Sequence, residues 1–356
     1  MRKLLIYLDQ SYISSMTKQL AGLTRPEHSA LGQAMGELLD RLRLLVDEDR
    51  VLCPYSVVHD QELGLDDRLK GSAQSLLREL SDSVSFRTYR TIEYDQTVRA
   101  LRRYLALPAE PEDGRWEHAL YRNPHLRIKR PRVYVTISTP PEFQEDDRRR
   151  KAVIQSFREA QVMKDSAGLP ATFRECRQHQ VLGVAKIVYV DGFRDYLARM
   201  VGALGASCTA PAVSQMSDSE LLEYLNTVLP PPGFRLAAEY AALTGRSDPF
   251  PGERYWRFFE SRDFDAIPYY DIFCSLEAGF LFYKPQRKPK ASDPYDMAAL
   301  ASVLPYVDIV TTDSAMKDML LQLKLHEKYR VEVYSARRKE VEALSQRLAR
   351  LARHRH

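Results

Sequence analysis

"SDPYDMAALASVLPYVDIVTTDS", residues 292–314, opens with two acids three apart, Asp293 and Asp296, runs through an apolar stretch and closes on a third acid, Asp313. "PYDMAALASVLPYV" predicts a helix with Pro294 near its first turn, where a missing N–H costs nothing. "DIVTTD" predicts a short buried strand. In an open parallel sheet the functional crevice lies beyond the carboxyl ends of the strands. Acids at both borders of a core-like segment are therefore expected at that edge, Asp313 at a strand end and Asp293 and Asp296 in the first turn of the preceding helix. Asp293 and Asp296 also suit an N-cap and an N3 position, as in a capping box.

The same alternation is present at the N-terminus. "KLLIYLD" is an apolar run ending in Asp9, and a polar "QSYISS" turn leads away from it. Residues 28–46 carry apolar side chains at helical spacing, "VLCPYS" predicts a second buried strand, and "SVVHDQELG" starts a helix with Ser56 as its N-cap and Glu62 within its first turns. After the acidic stretch, "SAMKDMLLQLKLHEKY" predicts a helix, "VEVYSA" a strand and "RRKEVEALSQRLARLARHRH" an amphipathic basic helix. Strand and helix in alternation favour a parallel α/β sheet. From Val84 the pattern loosens into predicted helices near residues 93–106, 145–162, 218–228 and 235–245, separated by Pro-rich turns. The expected organisation is an α/β core over residues 1–83, a mostly helical insertion over 84–266, and the remainder of the core with its basic terminal helix over 267–356.

At 356 residues, with 44% hydrophobic and 28% charged content, the chain is ordinary for a folded globular protein. Its net charge of +4 is too slight to require a nucleic-acid partner by itself. No apolar run approaches the roughly 18 residues a membrane span needs, and "LLIYLD" is too short for a signal-peptide core. No membrane association and a cytoplasmic location are the expectation. The four cysteines, Cys53, Cys176, Cys208 and Cys274, show no metal-ligand or disulfide spacing and are expected to be buried thiols.

Four acids from distant parts of the chain, Asp9, Glu62, Asp296 (or Asp293) and Asp313, are thus expected at one edge. Clustered carboxylates raise one another's pKa, and a fold tolerates them chiefly when a cation neutralises them. Oxygen donors without His or Cys select hard ions, Mg²⁺ or Mn²⁺. Such a centre activates water and neutralises a phosphodiester. Ser11 and Thr311 each lie two residues from an acid and are placed to support a carboxylate. "KPQRKPK", residues 284–290, puts Arg287, Lys288 and Lys290 just before the acidic helix, where they would hold a phosphate backbone.

These segments resemble the motifs of PIN-domain nucleases. "IYLDQSYIS" is similar to the opening motif, an apolar strand ending in Asp followed by small polar residues. "PYSVVHDQEL" is similar to the second, a Ser-led helix with an acid six residues after Ser56. "SDPYDMAALASVLPYVDIVTTDSAM" resembles the third and fourth together, with Asp313 lying 17 residues after Asp296. The resemblance covers residues 3–66 and 268–335. It implies a three-layer parallel-sheet core and metal-binding acids at Asp9, Glu62, Asp296 and Asp313. The implied activity is metal-dependent endonuclease cleavage, of RNA rather than DNA, leaving 5′-phosphate and 3′-hydroxyl ends.

Compact PIN domains have no insertion of this size, which suggests gating by a regulatory protein partner and a conditionally activated, toxin-like enzyme. Two other readings remain open. One is a non-catalytic scaffold that binds partners through the insertion. The other, weaker, is a haloacid-dehalogenase-like phosphatase, whose second Asp is replaced here by Ser11.

Overall fold

The structure is a computed structural model that describes residues 3–56, 59, 67–108, 119–122, 172–191, 193, 232–246, 252–288, 290 and 292–353. In chain order its elements begin with β1 (Leu4–Tyr7), α1 (Gln10–Leu20), a 3₁₀ turn (Pro26–His28), α2 (Ser29–Asp47) and β2 (Val51–Leu52). They continue with α3 (Asp67–Ser81), β3 (Val84–Phe86), α4 (Tyr89–Tyr104) and β4 (Leu120–Arg122). Next come α5 (Phe173–Ala185), a π-helical segment (Lys186–Asp191), α6 (Pro232–Thr244), α7 (Glu253–Phe258), α8 (Arg262–Asp265) and α9 (Pro268–Tyr283). The chain closes with α10 (Asp293–Val303), β5 (Ile309–Thr312), α11 (Ser314–Gln322), α12 (Leu325–Tyr329), β6 (Glu332–Ser335) and α13 (Arg338–Arg353).

The chain divides into two compact units, the first Met1–Glu93, Pro111–Arg130 and Tyr295–His356, the second Tyr94–Glu110 and Pro131–Pro294. These boundaries differ from those expected from sequence. Helix α9, assigned above to the core, packs against α5 within the second unit. Its nearly continuous apolar sequence marks it as buried but does not say which core receives it. The second unit's described elements are all helical, and they enclose an aromatic core in which Tyr189, Tyr255, Phe258, Phe264 and Tyr270 are fully buried. The Tyr255 hydroxyl donates to Gly233 O at 3.0 Å.

The first unit holds a four-stranded, all-parallel sheet in the order β2-β1-β5-β6. Leu4 pairs with Val51, Ile6 with Ile309, and Ile309 with Glu332. β1 and β5 are short apolar runs because both faces of a parallel sheet are covered. Ile6, Val51 and Ile309 share a core with Tyr12, Ile13 and Met16 of α1, Leu38 and Leu42 of α2, Leu76 and Leu80 of α3, and Leu344 and Leu348 of α13. Alternate residues Leu5, Tyr7, Leu52 and Val310 are buried as well. Burying each such side chain stabilises the fold by about 1.5–3 kcal/mol. The coarse α/β expectation therefore holds.

A feature not read from the sequence is the antiparallel pair β3–β4, with Val84 opposite Arg122 and Phe86 opposite Leu120. Tyr55 joins it to the end of β2 through a parallel bridge to Ser85. The segment 314–329, expected as one helix, is two, broken at Lys324, whose φ of 55° is left-handed. Cys53, Cys176 and Cys274 are buried free thiols, and Cys208 lies outside the described residues. No helix among the described residues is long and apolar enough to cross a membrane.

Candidate functional site

The connections leave the sheet in opposite directions at its centre. From β1 the chain passes to β2 on one side, while β5, paired with the other side of β1, passes to β6 further out. This is a topological switch point, and the cleft beyond the carboxyl ends of β1 and β5 is where such sheets place ligands. Asp9 follows β1 and Asp313 follows β5.

Both acids are also N-caps. Asp9, extended at φ −66° and ψ 157°, begins α1 and accepts from Ser11 Oγ at 2.7 Å and Ser11 N–H at 3.4 Å. Asp313, at φ −68° and ψ 163°, begins α11 and accepts from Met316 N–H at 2.7 Å. Each carboxylate sits at the positive end of a helix, where negative charge is favoured. Capping and ion binding are compatible roles for a carboxylate, since it has two oxygens and several lone pairs to share between them.

The sheet brings the two ends together. Thr311, fully buried one residue before the end of β5, accepts from Asp9 N–H at 2.8 Å through its hydroxyl. Burial pushes the Asp9 carboxyl above its ordinary range, and the nearby Asp313 carboxylate adds to that push against the lowering hydrogen bonds from Ser11 and Gln10. Two acids thus share a partly desolvated edge, the condition under which a bound cation stabilises the charged forms. Ser11 donates to the Asp9 carboxylate, whereas the Thr311 hydroxyl, expected beside a carboxylate, meets the Asp9 backbone N–H instead. Thr311→Val keeps the side-chain volume but removes the acceptor for Asp9 N–H. It is expected to destabilise the fold by about 1 kcal/mol, measured by urea unfolding, with Thr311→Ser close to wild type.

Three other acids were expected as ligands. Asp296 is a half-buried residue of α10 in the first unit. Glu62 lies outside the described residues, as does most of the segment around it. Asp293, 1% exposed, is held in a local ion pair: Arg287 Nη1 and Nη2 donate to its two oxygens, both at 2.6 Å, and Lys290 N–H adds a third bond at 2.7 Å. The guanidinium of Arg287 also lies over the Phe280 ring, 4.3 Å from its centroid. In this arrangement Asp293 organises the loop before α10, and Arg287 is turned inward to it. Lys288 and Lys290 are exposed. Among the described residues, no group of three or more His, Cys, Asp or Glu side chains stands in position to hold a metal ion.

Two further groups lie at this edge. Glu340, three residues into the α13 region, accepts from Lys317 Nζ at 2.5 Å and from Ser335 N–H at 2.7 Å. Burial pushes its carboxyl upward, but these partners hold it below the ordinary range. Tyr12, fully buried, donates to Ser335 O at 2.7 Å, and its phenol is pushed far up by burial, with Glu340 and Asp9 adding to the effect. The available sequence signal was a Glu following a strand and opening a helix.

The second is His59, 1% exposed. Its Nδ1 accepts from Ser56 N–H at 2.9 Å, which leaves the ring hydrogen on Nε2 to donate to Leu8 O at 2.6 Å. Burial lowers its pKa to about 4 against the raising effect of these two backbone bonds, so the ring is neutral at pH 7. Tyr7 packs on it at 5.2 Å between centroids and bonds Ser56 Oγ at 3.3 Å.

Comparison with known proteins adds no relative: no family model matches the chain, and searches of curated proteins and of solved structures return no significant match.

Proposed function

We propose that the chain is a divalent-metal-dependent endonuclease of the PIN-like type, hydrolysing phosphodiester bonds in RNA. The observation that carries this reading is the placement of Asp9 and Asp313 at the switch point of a parallel sheet, each capping a helix, with burial and then the Asp313 charge raising the Asp9 carboxyl. The donor set is all oxygen, which suits Mg²⁺ or Mn²⁺. Asp9 and Asp313 would hold the ion, with Asp296 and Glu62 completing the set as the motif order implies. A divalent ion bound there supplies Lewis-acid neutralisation of the phosphate and a lowered pKa for its water.

The chain's own contribution is orientation. Ser11 turns the Asp9 carboxylate, the α1 and α11 N-termini favour anions at the edge, and Thr311 fixes the backbone from which Asp9 projects. Asp293 is left to Arg287. Lys288 and Lys290, as exposed cations, are the residues of the basic loop proposed to meet phosphate. A regulatory protein partner for the second unit, and a toxin-like role, belong to the same proposal.

The test is incubation of the full chain with end-labelled single-stranded RNA or DNA in Mn²⁺, Mg²⁺ or EDTA. RNA fragments with 5′-phosphate ends are expected with either metal and none with EDTA. Cleavage that persists in EDTA would refute metal dependence. A folded protein with no cleavage of either polymer would leave the partner-binding scaffold as the better reading.

A further inference from the structure

The peptide unit that immediately precedes Asp9 is held by a side chain at each of its polar ends. The carbonyl of Leu8 receives the His59 Nε2 hydrogen at 2.6 Å, and the N–H of Asp9 donates to Thr311 Oγ1 at 2.8 Å. These are the C=O and N–H of a single planar peptide. Two bonds on opposite edges of a rigid plane fix its rotation, and hence the direction in which the Asp9 side chain leaves the backbone. The bonds come from different parts of the chain: Thr311 lies on β5, and His59 lies in the segment following β2.

The imidazole is itself fixed before it reaches Leu8. Ser56 N–H occupies Nδ1 and determines the tautomer, the Tyr7 ring packs on one face, and the ring is shut away from solvent. A solvated or rotating histidine would not serve, because either nitrogen could then face Leu8. His59 also lies three residues before Glu62 in the sequence.

We propose that His59 is a positioning residue for the carboxylate site, forming with Thr311 a two-sided clamp on the Leu8–Asp9 peptide that presents Asp9 to a divalent cation. This rests on the nuclease reading above and goes beyond the residues that reading names. Partners that orient metal ligands typically contribute 10- to 100-fold to metal affinity or activity. The clamp acts before substrate arrives, so its loss is expected in metal affinity and kcat rather than in the KM for RNA.

The experiment uses the full chain as wild type, His59→Gln and His59→Asn. The Gln side chain places an N–H near the position of Nε2 and keeps the bond to Leu8. The Asn side chain places an acceptor near Nδ1, keeps the bond from Ser56, and leaves Leu8 O without a donor. Mn²⁺ affinity is measured by titration calorimetry, and kcat and KM on single-stranded RNA at a temperature where circular dichroism shows each protein folded.

His59→Asn is expected to lose about 10- to 100-fold in Mn²⁺ affinity and in kcat. Its KM should stay within about twofold of wild type, and His59→Gln within about threefold in all three quantities. His59→Asn indistinguishable from wild type overturns the proposal. So does a folded His59→Gln with the full loss, and that variant alone decides the matter if His59→Asn does not fold. A wild-type protein that neither binds Mn²⁺ nor cleaves RNA fails at the first measurement, which refutes the nuclease reading and the clamp's purpose with it.

Discussion

Asp9→Asn is expected to lower metal-dependent RNA cleavage by on the order of 10²- to 10³-fold, the loss typical of removing one preorganised electrostatic group, and to leave the fold as stable as wild type or more so. Asn and Asp are equally good N-caps, so the bonds from Ser11 Oγ and Ser11 N–H can persist on the amide oxygen. What the substitution removes is charge. The Asp9 carboxyl is raised above its ordinary value by burial and, secondarily, by Asp313. A carboxyl whose folded pKa is raised stabilises the fold in its protonated form, and that contribution is lost as pH rises through the folded pKa.

The stability gained by Asp9→Asn should therefore be absent near pH 3, where both states are protonated, and grow as pH rises to neutrality. Equilibrium unfolding of both proteins across that range checks the sign. Added Mn²⁺ should reverse the ranking, since an ion bound only by the folded wild type stabilises it by about 2.7 kcal/mol at a hundredfold excess over Kd. Asp9→Asn should show little or no such shift. Asp9→Ala separates the roles further, because it removes the cap as well and should cost about 1 kcal/mol. An Asp9→Asn protein that cleaves like wild type would end the proposed mechanism. One that loses stability at pH 7.5 without metal would show that the charge itself supports the fold.

The opposing effects on activity and stability explain why this part of the site was readable in the sequence. A buried parallel strand is a run of apolar residues, and an acid closing it, as Asp9 closes "LLIYL" and Asp313 closes "IVTT", conflicts with the pattern it terminates. Such local conflicts concentrate at functional sites. The conflict at Asp293 had another origin. Arg287, six residues earlier, folds back on it through a loop whose course no periodicity encodes, so a residue suited to a metal and a residue suited to phosphate satisfy each other.

Periodicity also failed where elements were too short or their destination was tertiary. β3 and β4 have three residues each, too few for alternation to register. Lys324 breaks a segment whose composition is helical throughout. His59 is buried and packed on Tyr7. Its reach to Leu8, 51 positions away in sequence, depends on β2 lying beside β1, which the sequence does not specify.

The largest expected effect on stability lies in the second unit, at Arg177. Its guanidinium donates to Asp265 Oδ1 at 2.7 Å, to Asp265 O at 3.2 Å, to Asp271 Oδ1 at 2.9 Å and, from Nε, to Ser275 Oγ at 3.0 Å. One cation thus joins α5 to the end of α8 and the start of α9. Asp271 is only 5% exposed, so its charge has little water to fall back on. Arg177→Met keeps much of the apolar stem but leaves a buried carboxylate without its cation, which typically costs about 3–5 kcal/mol. For a unit of this size the corresponding fall in Tm is roughly 10 °C.

The loss comes from the stranded charge rather than from missing side-chain volume. The double variant Arg177→Met with Asp271→Asn should recover a substantial part of it, since breaking one side of a buried pair costs more than replacing both. Calorimetric scans of wild type, single and double variants at pH 7.5 check each step. If Arg177→Met unfolds within about 2 °C of wild type at pH 7.5, too small a shift for a lost buried pair, the guanidinium is not the cation on which Asp271 depends.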